Sequence, residues 1–206
     1  QFQYYAFISY KREDEKWAKW LQDRLRWYKL PSKLCRQITR LPKKVWPVFR
    51  DNTDLDSGRL EENIRHELER SHYLIVICSP EAARSPWVGK EVKYFATLHG
   101  ADKIIPFVVS GIPYSNDIET ECIHEQIKAI SQEELLAINV REEGIGSFAM
   151  KKKRAFIRVV ARLLDIKFNT LWQPYERILR IRKWSTGIGV VFILIRFIHL
   201  VGLLPD

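Results

Sequence analysis

Paired cysteines are missing from this chain: Cys35, Cys78 and Cys122 stand at no spacing that suggests a disulfide framework or a zinc site. Cys78 sits inside an apolar run and reads as a small core residue. A reduced, cytosolic domain follows, and no secretory leader is visible. Gln1 is not Met, so the native chain is expected to begin a few residues earlier. His66, His72, His99, His124 and His199 show no ligand-like pairing with one another or with cysteine, so neither a metal nor a bound cofactor is expected. No G-x-S-x-G and no G-x-G-x-x-G is present, which argues against a nucleophile elbow and a dinucleotide fingerprint. Asp51, Asp54 and Asp56 crowd one loop, but the Gly and distal Glu of an EF-hand are out of register, and a turn with a helix cap explains them. Internal repeats and low-complexity tracts are absent as well.

Net charge is missing from most of the chain too. Residues 1–149 hold 22 Lys/Arg against 22 Asp/Glu, whereas residues 150–206 hold 12 against 3, so the whole excess of +9 lies in the C-terminal quarter. Lys151–Arg154 reads as a solvated helix start rather than a nucleic-acid patch. A basic tail can meet nucleic acid or an anionic membrane. Its neighbour, Gly187–Leu204, favours the membrane, and no nucleic-acid partner is expected. That run is apolar apart from Arg196 and His199, and as a helix it reaches about 27 Å against a bilayer core of about 30 Å. Arg196 near its centre costs about 2.5–3.5 kcal/mol on insertion. The basic cluster Arg177, Arg180, Arg182 and Lys183 holds the N-terminal part on the cytoplasmic side. Residues 187–204 are therefore expected to form a transmembrane helix, with an oligomerisation or docking helix as the alternative. The expected domains are 1–165, a basic amphipathic linker helix at 166–186 interrupted near Pro174, and the apolar helix at 187–204.

What the first 165 residues do contain is material for a core, including five of the chain's seven Trp before residue 100. Tyr4–Tyr10 is aromatic and β-branched and predicts a first buried strand, with Ser9-Tyr10-Lys11-Arg12 as its exit. Glu13–Tyr28 predicts an amphipathic helix with Trp17, Trp20, Leu21, Leu25 and Tyr28 on one side. Val45–Phe49 predicts a second strand, and Pro47 places it at an edge or bulge. The polar loop Arg50–Gly58 precedes a helix marked by Leu60, Ile64 and Leu68, with Asp56 or Ser57 near its N-cap. Further strands are predicted at Leu74–Cys78, Ile104–Val109 and Leu135–Val140, with a weak helix at Ile118–Ile130 and a firm one at Lys151–Leu164. Five strands alternating with helices predict an α/β fold with a parallel, doubly wound sheet.

The stretch from Leu74 to Gly100 organises the rest. Ser79-Pro80 ends its strand; Ser85 is a candidate N-cap with Pro86 at the first helical position. Val88, Val92 and Phe95 recur at helical spacing and predict a buried face, while Trp87 and Glu91, four apart, are expected as neighbours on a different one. A helix that starts beyond the carboxyl end of a buried strand is where open α/β sheets place ligands. An aromatic plate beside one carboxylate there suits a ring and a sugar. The plainer alternatives are a solvated Glu91, paired with a cation such as Arg84 or Lys90, and a Trp87 that only packs.

FISYKRED at the start, PVFRDNTDLDSG and SPEAARSPWVGKEV, in that order and spacing, resemble bacterial TIR (Toll/interleukin-1 receptor) domains over roughly Tyr4–Leu164. The resemblance implies a flavodoxin-like five-stranded parallel sheet, here with a C-terminal helical, membrane-like extension. It implies that Arg50–Ser57 is the BB loop, which shapes the site mouth and mediates TIR–TIR assembly. It implies that Glu91 matches the catalytic glutamate of the NAD-cleaving members and Trp87 an aromatic that stacks on the nucleotide. Ser9, Tyr10, Lys11 and Arg12 match the first-strand exit lining the same pocket, with Lys11 where some relatives carry Arg, and Arg50 and Asp51 open the BB loop. A cytoplasmic domain anchored to the inner membrane by its C-terminal helix, in antiviral defence, is the setting implied.

Chemistry supports the same residues. A glycosidase needs two carboxylates because its leaving oxygen must be protonated. The nicotinamide of NAD+ already carries the positive charge and departs neutral, so one carboxylate that steadies an oxocarbenium-like ribose suffices. Lys11, Arg12 or Arg50 could meet the pyrophosphate. The expected activity is NAD+ cleavage to nicotinamide and ADP-ribose, or a cyclised or conjugated product read by a separate effector. The sequence does not choose among these products. The competing readings are a non-catalytic TIR assembly module and a domain that senses a nucleotide without cleaving it.

Overall fold

The computed structural model describes residues 2–38, 41–42, 44–50, 58–130, 137–141 and 147–173. The chain divides into two compact units, Gln1–Ile166 and Lys167–Asp206. Of the second, residues 167–173 are described, and 168–173 are helical.

In the first unit the strands are β1 (Tyr4–Ser9), β2 (Val48–Arg50), β3 (Ser71–Cys78), β4 (Ile104–Val108) and β5 (Ile138–Asn139). The helices are α1 (Glu15–Trp27), α2 (Ser32–Gln37), α3 (Gly58–Glu69), α4 (Pro80–Ala83), α5 (Pro86–His99), α6 (Glu125–Ile130) and α7 (Phe148–Leu163). All strand pairs are parallel in the order β2-β1-β3-β4-β5. This is the doubly wound sheet expected from the alternation, in the flavodoxin-like order that the resemblance implies, and its order reverses between β1 and β3. In register, Ser9 lies opposite Val76, and Cys78 opposite Val108.

Strand residues alternate between two buried faces. Phe7, Leu74, Val76, Ile104 and Val108 meet Ile64 and Leu68 of α3 and Val88, Val92 and Phe95 of α5. On the other face the Trp20 ring of α1 stacks on Phe107 with centroids 6.4 Å apart, and Phe156 of α7 meets Trp20 edge-on at 6.2 Å. Both faces are covered, which explains strands apolar at nearly every position.

Several boundaries differ from the sequence expectation. The second strand begins at Val48 rather than Val45, after a cis Trp46–Pro47 peptide, and is an edge strand as Pro47 suggested. The weak helix at 118–130 is reduced to Glu125–Ile130. Asp117 takes the preceding residues into a turn: its Oδ1 accepts the N–H of Glu119 at 3.1 Å and its Oδ2 the Thr120 hydroxyl at 3.1 Å. Such local side-chain bonds compete with helix formation. The last strand is Ile138–Asn139 among the described residues, with Leu135 and Leu136 of the expected strand outside them, and α7 starts three residues earlier than Lys151 because Ser147 caps it, its Oγ accepting the Met150 N–H at 3.4 Å. Pro80 both ends β3 and opens α4, whose N-cap is Ser79.

Among the described residues no helix is long and apolar enough to cross a membrane. The expected span at 187–204 lies outside the described residues, as do Pro174, most of the 166–186 linker and the 51–57 part of the loop.

Candidate functional site

The first turn of α5 forms where Ser85 and Pro86 predict. Ser85 is extended, its Oγ faces the Val88 N–H at 3.5 Å, and Pro86 opens the helix where no N–H partner is needed. Val88, Val92 and Phe95 are buried, as their spacing requires. Glu91 joins them: it is three residues beyond Val88, one before Val92, and only 8% exposed. This corrects the expectation of a separate face for Glu91, and a solvated carboxylate is excluded by its burial. Trp87 stays 39% exposed.

A carboxylate in such surroundings requires hydrogen-bond donors. One comes from the end of β1: the Ser9 hydroxyl, 1% exposed, donates to Glu91 Oε2. Ser9 shares the strand face of Phe7, so the pleat aims it at α5. Residues 82 apart in sequence thus meet at the carboxyl edge of the sheet. Replacing Ser9 with Ala is expected to lower stability by about 1–3 kcal/mol, because a buried carboxylate loses a donor. Thermal denaturation of Ser9→Ala beside Ser9→Thr, which keeps the hydroxyl, measures it.

Glu91 and Trp87 line a cleft of about 310 Å³ between α3 and α5. Ile64 and Leu68 supply apolar wall, and Arg65, Lys90 and Lys93 surround it with positive charge. The Lys90 ammonium lies 4.5 Å from the centre of the Trp87 ring. A flat face, a charged rim and a fixed carboxylate are brought together here.

Tyr10 and Lys11 are half-buried, and Arg12, exposed, begins a 3₁₀ turn through Asp14. Arg50 bonds to three side chains outside β2. Its Nη1 donates to the Tyr10 hydroxyl at 3.0 Å and to Glu15 Oε1 at 3.3 Å, and its Nε donates to Gln22 Oε1 at 3.1 Å. It therefore ties β2 to α1 and to the β1 exit, with its guanidinium 5.7 Å from the Tyr10 ring centre. Asp51 lies outside the described residues.

Two groups near the site escape the sequence reading. Asp14, buried at the start of α1, accepts the Ser79 hydroxyl at 2.5 Å, bridging the exits of β1 and β3 where the strand order reverses. Burial raises its carboxyl above the usual range, and the Ser79 bond opposes that shift. The signal was available as an acid just after one central strand and a serine just after its neighbour. The second group is His124, at the start of α6 against α5. Burial lowers its imidazole from the ordinary 6.5, against the pull of the Ser85 carbonyl and Glu125. An unfolded chain then binds this proton more readily than the folded one, so stability rises with pH across that window. The contribution is whole above pH 6.5 and is lost as the pH falls from there through the depressed folded value. Thermal midpoints between pH 8 and 5 are expected to fall with acidification, and to fall less in His124→Asn; His72, lowered mainly by burial, acts in the same direction.

Among the described residues no group of three or more His, Cys, Asp or Glu converges on a point that could hold a metal ion.

The sheet order and the three motifs suggest one family, and the family model described as TIR domain matches residues 6–143. The chain belongs to the TIR domain family. Within it, a 110-residue stretch is 36% identical to the NAD(+) hydrolase ApTIR of Actinoplanes sp. (strain ATCC 31044 / CBS 674.73 / SE50/110), covering 52% of this chain and 14% of that protein. The chain thus spans about one seventh of that relative's length. Among solved structures, the TIR domains of the activated Roq1 resistosome, recognising the pathogen effector XopQ, are 18% identical and align with a TM-score of 0.33 over 50% of this chain and 55% of that one.

Proposed function

We propose that this TIR domain cleaves the bond between nicotinamide and ribose in NAD+, with Glu91 as the catalytic residue and Trp87 as the face on which a substrate ring rests. The observation that carries this reading is the carboxylate itself: buried on α5, held by Ser9, and belonging to a residue that lines a cleft beside an exposed indole. The likeness to a protein named as an NAD(+) hydrolase supports it.

The reaction asks little else of the protein. As the glycosidic C–N bond breaks, its electron pair goes to the nicotinamide ring nitrogen and neutralises the pyridinium, so no proton is required. The positive charge passes to C1′ and the ring oxygen of ribose. A carboxylate fixed beforehand in a site that excludes water stabilises that charge more strongly than water does. Ser9 holds the Glu91 oxygen in place before substrate arrives, so little rearrangement is needed during bond cleavage. Water or another hydroxyl then captures C1′ and loses a proton, giving ADP-ribose, or a cyclised or conjugated form when the nucleophile belongs to the nucleotide or to another acceptor.

We place the enzyme in assemblies of several copies joined through TIR–TIR contacts and gathered at a membrane by residues 187–204, working in antiviral defence. The family resemblance and the apolar run in the sequence support that part of the reading.

The test is incubation of concentrated or clustered chain with NAD+, followed by mass spectrometry. Nicotinamide in equal amount to an ADP-ribose-derived product is the expected result. Intact NAD+ after incubation with assembled chain would turn the assignment towards a non-catalytic assembly module.

A further inference from the structure

His124 joins two helix starts. Its Nδ1 accepts the N–H of Gln126 at 3.0 Å, and its Nε2 lies 3.1 Å from the Ser85 carbonyl oxygen. An accepting nitrogen on one side and a donating one on the other define a single neutral tautomer with the proton on Nε2. The same Ser85 oxygen receives the N–H of Gly89 at 3.1 Å. One carbonyl therefore ties the first turn of α5 to the imidazole.

That approach requires a glycine at 89. A Cβ there would stand 2.5 Å from Cε1 and 2.7 Å from Nε2 of His124, well inside van der Waals contact. A glycine inside a helix otherwise costs about 1 kcal/mol relative to alanine, and the imidazole supplies the reason for it. Gly89 is two residues from Trp87 and two from Glu91, so the ring presses on the turn that carries both.

We propose that His124 is a positioning residue that sets the rotation and axial height of the first turn of α5. Seated against Gly89, it brings Glu91 to the Ser9 hydroxyl and turns the Trp87 indole towards the cleft. The role rests on the reading of Glu91 and Trp87 given under Proposed function.

The test compares kcat and KM for nicotinamide release in the full chain, as wild type, Gly89→Ala, His124→Ala and the double variant, each at a temperature where circular dichroism shows it folded. Gly89→Ala is expected to lose about 100-fold in kcat, the scale of a displacement of about 1 Å, with the smaller change in KM. Removing the ring as well is expected to recover at least about tenfold of that loss, since the clash is gone. A wild-type kcat in Gly89→Ala, or a double variant no more active than Gly89→Ala, overturns the role. Should Gly89→Ala not fold, His124→Ala, which creates no clash, decides: about a tenfold drop in kcat supports positioning, and an unchanged kcat overturns it. A Glu91→Gln chain as active as wild type removes Glu91 from catalysis and, with it, the positioning role that rests on it. Full activity in the Gly89 and His124 variants beside an inactive Glu91→Gln removes the positioning role alone, and a wild type without turnover removes both.

Discussion

Glu91→Gln is expected to release nicotinamide at least about 100-fold more slowly than wild type, the loss seen when a preorganised charge-stabilising group is removed. The substitution is chosen because it spares the fold. Glutamine has the same shape, and its carbonyl oxygen still accepts the Ser9 hydroxyl that now bonds Glu91 Oε2. Only the negative charge is lost, and that charge is what the departing nicotinamide leaves work for. The loss should appear in kcat, because a group that meets charge developing in the transition state contributes little to binding the ground state. Comparable rates in the two chains would take Glu91 out of the reaction.

Phe95→Ala is expected to be the most damaging change to stability in the region of the site. Phe95 is wholly buried one turn beyond Glu91, among Phe7, Leu68, Leu74 and Ile104 in the core between α5 and the sheet. Removing a buried phenyl ring leaves a cavity and costs about 3–5 kcal/mol, which in a domain of this size lowers the thermal midpoint by roughly 6–20 °C. Leu98→Ala, on the exposed side of the same helix, is the control and should stay within about 0.5 kcal/mol. Equal losses in both would mean that α5 is not seated as described. Because α5 carries Glu91 on its inward side, loosening the helix should also weaken the Ser9 contact.

The sheet was legible because its evidence is local. Short β-branched runs bounded by Pro, Ser and Gly marked the strands, and Ser85-Pro86 marked the start of α5 within the same few residues. The alternation of elements implied a parallel sheet, whereas the strand order came only with the resemblance to TIR domains. Glu91, proposed as the catalytic residue, was expected on a different face from the one it occupies. The spacing of 88, 91, 92 and 95 already sets it in the buried stripe, yet an acid is assigned to solvent unless its partner is known, and Ser9 lies 82 residues away. The partners of Arg50 were not legible either, because Glu15, Gln22 and Tyr10 come from other elements. The helix expected at 118–130 forms only at Glu125–Ile130 because Asp117 bonds to its own neighbours ahead of it. For His124 the one clue was a glycine inside a helix, and the ring that explains it stands 35 residues further on.

The most direct test is a crystal structure of the chain with a non-hydrolysable NAD+ analogue, in which the glycosidic link to nicotinamide is carbon. The predicted density places a ribose hydroxyl within hydrogen-bond distance of the Glu91 carboxylate, about 2.5–3.0 Å, with a ring of the analogue against Trp87. A nucleotide bound elsewhere, with Glu91 facing no part of its ribose, would contradict the account.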